Sequence, residues 1–260
     1  KAVLEALPVI DFRPDILHFH DWQTGLIPVY LKNEYQKDEF YQGMRTIFTI
    51  HNLQFQGRWI MQVVKDITGL PEQLFTADKL ESYGEANYLK GGVVYSDIIT
   101  TVSRTYAHEI TTQSSGEGLD GLMRARQKDL YGIVNGLDYQ VFDPESDSYI
   151  CHPFSKENLS EGKSINKSML QKQLGLEEDD SIMMIGIVTR MTNQKGLELV
   201  DAVLDELLAN ARIQIVVLGT GQGNFENMFR HYAWKYEDKL SANIFYSEEL
   251  AHRIYASCDA

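Results

Sequence analysis

Cysteine is nearly absent. Cys151 and Cys258 are the only two in 260 residues. With no Cys-x-x-Cys pair there is no disulfide framework, and the usage fits a reducing cytoplasm. Positive charge is also short: 24 Lys and Arg stand against 37 Asp and Glu, a formal net charge of -13. That argues against nucleic acid or an anionic membrane as the main partner, while leaving room for one local cationic pocket. No stretch reaches the ~20 apolar residues of a membrane span. The opening KAVLEALPVIDFRPD lacks the charged-then-apolar plan of a secretory signal. There is no repeat of solenoid period and no low-complexity stretch. GEGLDGL at 116–122 is glycine-rich without the G-x-G-x-x-G spacing, so it reads as a loop. No Asp-x-Asp carboxylate pair stands at a predicted strand end.

What is present is a sizeable apolar share, 43%, enough for one large or two modest α/β domains. The most informative stretch is 181–200, SIMMIGIVTRMTNQKGLELV. Residues 182–188 form an uncharged, β-branched run that predicts a strand buried on both faces of a parallel sheet. A polar turn follows, and then apolar residues at helical spacing over 197–208. Arg190 and Lys195 thus stand on a strand-to-helix turn, where open α/β sheets bind ligands and helix N-termini attract anions. They read as a phosphate or diphosphate site; the alternative is a loop with two solvated charges.

Further strands are predicted at 16–20 (ILHFH), 46–50 (TIFTI), 97–102 (DIITTV), 130–134 (LYGIV), 213–218 (IQIVVL) and 243–246. Helices are predicted at 26–35, 87–95, 106–110, 155–174, 224–234 and 247–257, with Ser103 as an N-cap. Gly162 weakens the case for one unbroken helix over 155–174, and 58–80 reads as loop and short helix. Two successive strands deliver polar residues at their ends, His20 and Asp21, then His51 and Asn52, the pattern of a nucleotide- or sugar-binding lobe. The βα pattern restarts after 143–146. The domains are therefore expected at 1–143 and 144–260.

Taken together, HFHDWQTGLIPVYL, TIFTIHNLQFQG, ITTVSRTYAHEI, GIVNGLDYQVFDP, VTRMTNQKGLEL and VLGTGQ, in this order, resemble bacterial glycogen synthase and plant starch synthase, which extend α-1,4-glucan from ADP-glucose. The resemblance implies a GT-B fold, two Rossmann-like α/β lobes with parallel sheets, both incomplete here, the first on the acceptor side and the second binding the sugar nucleotide. It places Arg190 and Lys195 on the nucleotide diphosphate, His51 beside the donor glucose, and Asp21 on the same wall. Asn135 falls at the lobe junction. Gly219 and Gly221 fall on a loop where backbone nears the nucleotide, and Tyr246 against the adenine. Asn52, Gln56, Thr189 and Gln194 join them as substrate-binding candidates. The family's lysine–threonine–glycine–glycine loop and its downstream glutamate block are missing from these residues. The sequence therefore reads as a stretch of a longer protein, with the activity belonging to the parent.

Glucosyl transfer must hold charge on a departing diphosphate, and many enzymes use a metal for this. Here Arg190 and Lys195 supply positive charge directly, so no metal cofactor is expected. The family retains anomeric configuration, and no carboxylate pair for a double displacement stands out. A front-face transfer suits the residues. His51 is either a sugar-binding group or a satisfied strand-end histidine. Asp21 is either a sugar ligand or a helix N-cap. His18 and His20 share one strand face and are read as packing rather than as metal ligands. Alternatives are another GT-B sugar-nucleotide transferase and an inactive glucan- or nucleotide-binding stretch. The expected partners are ADP-glucose and α-glucan, with no nucleic acid or membrane, and pairing of exposed sheet edges into a homo-oligomer is open.

Overall fold

A computed structural model describes all residues 1–260. The chain forms two compact units, Lys1–Gly136 and Leu137–Ala260.

The first unit runs α1 (Ala2–Val9), β1 (Ile16–His20), α2 (Asp21–Thr24), α3 (Leu26–Asn33), β2 (Arg45–Ile50), β3 (Arg58–Ile60), α4 (Met61–Thr68), β4 (Glu81–Ser82), β5 (Glu85–Asn87), α5 (Tyr88–Tyr95), β6 (Ile98–Thr101), α6 (Arg104–Glu109), α7 (Asp120–Ala125) and β7 (Leu130–Gly132). Its main sheet has the order β1-β2-β6-β7 and every pairing is parallel. Leu17, Phe19, Phe48, Ile50 and Ile99 point into one core with Val29, Leu31, Leu89 and Val93 of the covering helices. Asp97 ties the lower edge together. Its Oδ2 accepts from the Thr46 amide and hydroxyl, both at 2.8 Å, and Lys32 Nζ lies 3.2 Å from Oδ1. Burial pushes the Asp97 pKa up, but the Thr46 and Lys32 contacts outweigh it and hold the carboxyl below its usual range. As expected, Ser103 Oγ caps α6, accepting from Tyr106 N at 2.8 Å.

The second unit runs α8 (Leu159–Leu174), β8 (Met183–Val188), α9 (Leu197–Asn210), β9 (Ile213–Leu218), α10 (Gly223–Lys235), β10 (Leu240–Asn243) and α11 (Glu248–Ser257). The sheet order is β10-β9-β8, all parallel. Every residue of β9 is buried. Ile213, Ile215 and Val217 pack with Leu204, Leu208, Phe225 and Phe229 of α9 and α10, while Val216 and Leu218 pack with Leu170, Leu250 and Ile254 of α8 and α11. Strand alternation therefore puts helices on both faces, which is why β9 reads as a continuous apolar run.

Several expectations need correction. The predicted strand at 243–246 lies earlier, at Leu240–Asn243, because Leu240 is the core residue, whereas Phe245 and Tyr246 are exposed in the loop before the Ser247 cap of α11. Gly162 does not interrupt α8. A Cβ there would stand 2.2 Å from Phe154 Cβ, so the glycine admits Phe154 against the helix. Residues 58–80 include β3, which joins β5 and β4 in a small antiparallel sheet of two- and three-residue strands. Asp21 does not cap a helix: His20 holds the N-cap position of α2 and Gly25 that of α3.

Candidate functional site

In the first unit the carboxyl ends of β1 and β2 bring His20, Asp21, His51 and Asn52 together. Asp21 takes a left-handed backbone, φ 55°, unusual for a residue with a Cβ. That conformation turns its carboxylate across the strand ends, where Oδ1 accepts from the His51 amide at 2.8 Å. His20 Nδ1 and His51 Nε2 stand 3.0 Å apart. One ring must donate and the other accept, so the contact holds a single proton. Behind them His18 Nε2 meets Thr49 Oγ1 at 2.7 Å, and Thr49 Oγ1 meets Thr100 Oγ1 at 2.6 Å. Burial lowers the His18 pKa, and the neighbouring His20 and His51 lower it further. His18 is thus held by a side-chain hydrogen bond, and like His20 and His51 it stays exposed.

The loop after β2 builds a cleft of about 480 Å³ lined by Trp22, Phe55, Gln56, Arg58, Trp59 and Glu117, among others. Gln56 is buried and its side chain is fully engaged. Oε1 accepts from Asn87 Nδ2 at 2.6 Å and from Arg58 at 2.8 and 3.0 Å, and Nε2 donates to the Glu117 carbonyl at 3.0 Å. It holds the cleft floor and orients Arg58. Phe55 and Trp59 are about half exposed. Asn52 Oδ1 accepts from the Gln54 amide at 3.0 Å. Asn135 is exposed in the segment that ends this unit.

In the second unit, Thr189, Arg190, Gly219, Phe245 and Tyr246 line a pocket of about 300 Å³ at the carboxyl ends of β8 and β9, with Phe142 and His252 completing the wall. The two strand-end loops are zipped together. Thr189 N donates to Leu218 O at 3.1 Å, Met191 N to Thr220 O at 2.9 Å, and Gln222 N to Met191 O at 2.8 Å. Gly219 has φ 152°, and a Cβ there would fall 1.9 Å from Thr189 O; one on Gly221 would fall 2.3 Å from Met191 O. These two glycines are required by backbone-to-backbone approach. Beyond the zipper, Asn193–Lys195 forms a short 3₁₀ turn carrying Gln194 and Lys195, and Gly196, at φ 67°, leads into α9. No side chain caps α9, and its Leu199 and Val200 amides donate back to the Gly196 carbonyl at 3.0 and 3.3 Å. Arg190 and Lys195 are exposed and neither enters an ion pair, despite the acidic composition. Tyr246, 85% exposed, presents an uncovered ring.

Thr189, Arg190, Gly219 and Tyr246 therefore share one pocket, with Gln194 and Lys195 on the next turn. Asp21, His51 and Asn52 share one strand-end surface. Sequence reading missed Phe142, Phe245 and His252, the last because its partner Asp147 lies 105 residues away. It also missed Phe55 and Trp59 as walls of one cleft, a grouping that depends on how the loop folds.

Residues 1–125 match the family model of the starch synthase catalytic domain. The chain is 60% identical over 260 residues to the glycogen synthase of Lachnospira eligens, covering all of this chain and 54% of that protein. It is 58% identical to the glycogen synthase of Lachnoclostridium phytofermentans at the same coverage. It thus spans about half the length of the curated relatives it matches. Among solved structures, the catalytic domain of starch synthase IV from Arabidopsis thaliana, bound to ADP and acarbose, superposes with a TM-score of 0.90 at 32% identity, covering 99% of this chain and 53% of that one. The α/β fold with parallel sheets is that of a starch synthase catalytic domain.

Proposed function

We propose, taking a chain with the sequence and fold of the glycogen synthase and starch synthase family as the premise, that it carries the donor pocket and part of the acceptor surface of a retaining glucosyltransferase. In this reading glucose passes from ADP-glucose to the non-reducing end of an α-1,4-glucan. The observation that carries it is the second unit's pocket. Arg190 lines it, with Lys195 on the adjoining turn and the N-terminus of α9, which no side chain caps, directly after. These groups suit a diphosphate: the guanidinium forks onto two oxygens, the ammonium acts as a point charge, and the helix end adds its dipole. Tyr246 offers its face to the base. As the glycosidic bond breaks, negative charge grows on the diphosphate. Fixed cations aimed at such charge supply about 2.7–4 kcal/mol each, by analogy with a single oxyanion donor. On this reading the reaction needs no metal.

In the first unit, His51 and Asn52 serve the donor sugar, and Asp21 fixes their loop through the His51 amide. The cleft of Trp22, Phe55 and Trp59 matches a glucan, with apolar ring faces against sugar C–H faces and Arg58 and Glu117 at the hydroxyls. Transfer proceeds on the front face, with the acceptor hydroxyl attacking from the leaving-group side and giving its proton to the departing diphosphate. The alternative of a stretch that binds nucleotide and glucan without turnover rests on the same two surfaces. Calorimetric titration of ADP, then UDP, into this chain with and without EDTA tests the donor reading. Expected is ADP binding that EDTA leaves unchanged. No binding by the folded chain, or binding abolished by EDTA, overturns it.

A further inference from the structure

The segment that opens the second unit is pinned to α11 through His252 and Arg253. His252 is 2% exposed, and its Nδ1 lies 2.6 Å from Asp147 Oδ2. Asp147 Oδ1 accepts from Tyr149 N at 2.8 Å, and Arg253 Nε donates to Tyr149 O at 3.0 Å. Beside an ionised carboxylate Nδ1 is the donor, which fixes the ring's tautomer and plane. Phe142 stacks on that plane, centroids 4.5 Å apart and rings 12° from parallel, while Tyr149 meets it edge-on at 5.0 Å. His252 Nε2 is buried with no partner. An apolar side chain would fill this place without leaving a polar atom unpaired. What histidine adds is a donor for Asp147 together with a flat face for Phe142.

Phe142 is the consequential contact. It and His252 line both the pocket of Arg190 and Tyr246 and a second, apolar hollow of about 400 Å³ bounded by Leu137, Ile150 and Phe154. The stacked rings are therefore the partition between the two, and their placement sets the width of the first. We propose that His252 is a positioning residue: held by Asp147, it sets Phe142 as a wall of the donor pocket and so tunes nucleotide affinity. This rests on the donor reading above.

The test is a double-mutant cycle read by ADP calorimetry, with thermal unfolding to establish that each variant folds. His252→Asn supplies an amide donor where Nδ1 stood but no ring. It should weaken ADP binding about two- to twelvefold, the range of one aromatic pair. Phe142→Ala should weaken it comparably, and the double variant no further than Phe142→Ala alone. A merely structural histidine would not give that non-additivity. Asp147→Asn should fall in the same direction. Wild-type affinity in folded His252→Asn, or additive losses in the double variant, overturns the positioning role. Should His252→Asn fail to fold, Phe142→Leu at its partly exposed site reads the same wall, and unchanged affinity there overturns the proposal. A folded wild-type chain that ignores ADP refutes the donor reading itself, and this role falls with it.

Discussion

Gly219→Ala should unfold the donor pocket from its backbone outward. The new Cβ would lie 1.9 Å from Thr189 O, and φ 152° belongs to a region that residues with a Cβ avoid. Relief requires the loops after β8 and β9 to part. That breaks Thr189 N to Leu218 O and Met191 N to Thr220 O, and strains Gly219 N to Asn243 O at 3.1 Å. Two or three backbone hydrogen bonds at about 0.5–1.5 kcal/mol each, plus about 1–3 kcal/mol of conformational strain, give a loss of about 2–7.5 kcal/mol. That is a large part of an ordinary domain's stability. Gly175→Ala is the control. It also has a positive φ, 69°, but a Cβ there meets nothing within 4 Å, so only the backbone term of about 1–2 kcal/mol applies. Urea unfolding followed by circular dichroism compares the two. If Gly219→Ala loses no more than Gly175→Ala, the zipper is not what the glycine serves, and the account of this loop is wrong.

Other outcomes follow from single contacts. Asp97 has a folded pKa below its unfolded value, so its contribution is present above the ordinary aspartate value of 3.8 and is lost as pH falls through the lower, folded value. Asp97→Asn should therefore lower the urea midpoint at pH 7 and shrink the further loss that wild type shows below pH 3.8; parallel pH profiles for the two would contradict this. Trp59→Ala removes a half-exposed wall of the first unit's cleft. It should weaken maltohexaose binding by calorimetry while leaving ADP affinity alone. Thr49→Val removes the hydroxyl between His18 and Thr100. It should destabilise the fold by about 1–3 kcal/mol in urea unfolding, since it leaves the buried Thr100 hydroxyl without its partner.

How much was legible in the sequence depended on burial. The strand β9 was readable because both faces are covered and its apolar run is unbroken, and β1 because buried Leu17 and Phe19 alternate with exposed neighbours. β8, expected to be buried on both faces, is mostly half-buried, with Met183 exposed. β10 was misplaced because its apolar signal at 243–246 comes from Phe245 and Tyr246, exposed residues that line the pocket instead of the core. β3, β4 and β5 are two or three residues long, too short for any period to register. Arg190 and Lys195 could be singled out because a strand-to-helix turn is a local pattern. The role of Asp21 could not, since it depends on a left-handed φ and an amide 30 residues away. Nor could the pairing of Asp147 with His252, which only the packed fold creates.

The central claim is that the second unit holds a nucleotide diphosphate with its own cations. Titrating ADP into the wild-type chain and into Lys195→Ala, both in EDTA, addresses it most directly. The account predicts binding by the wild type and a loss of about 10- to 150-fold on removing the ammonium, the range for a hydrogen bond to a charged group. Equal affinities, with both proteins folded, would contradict it.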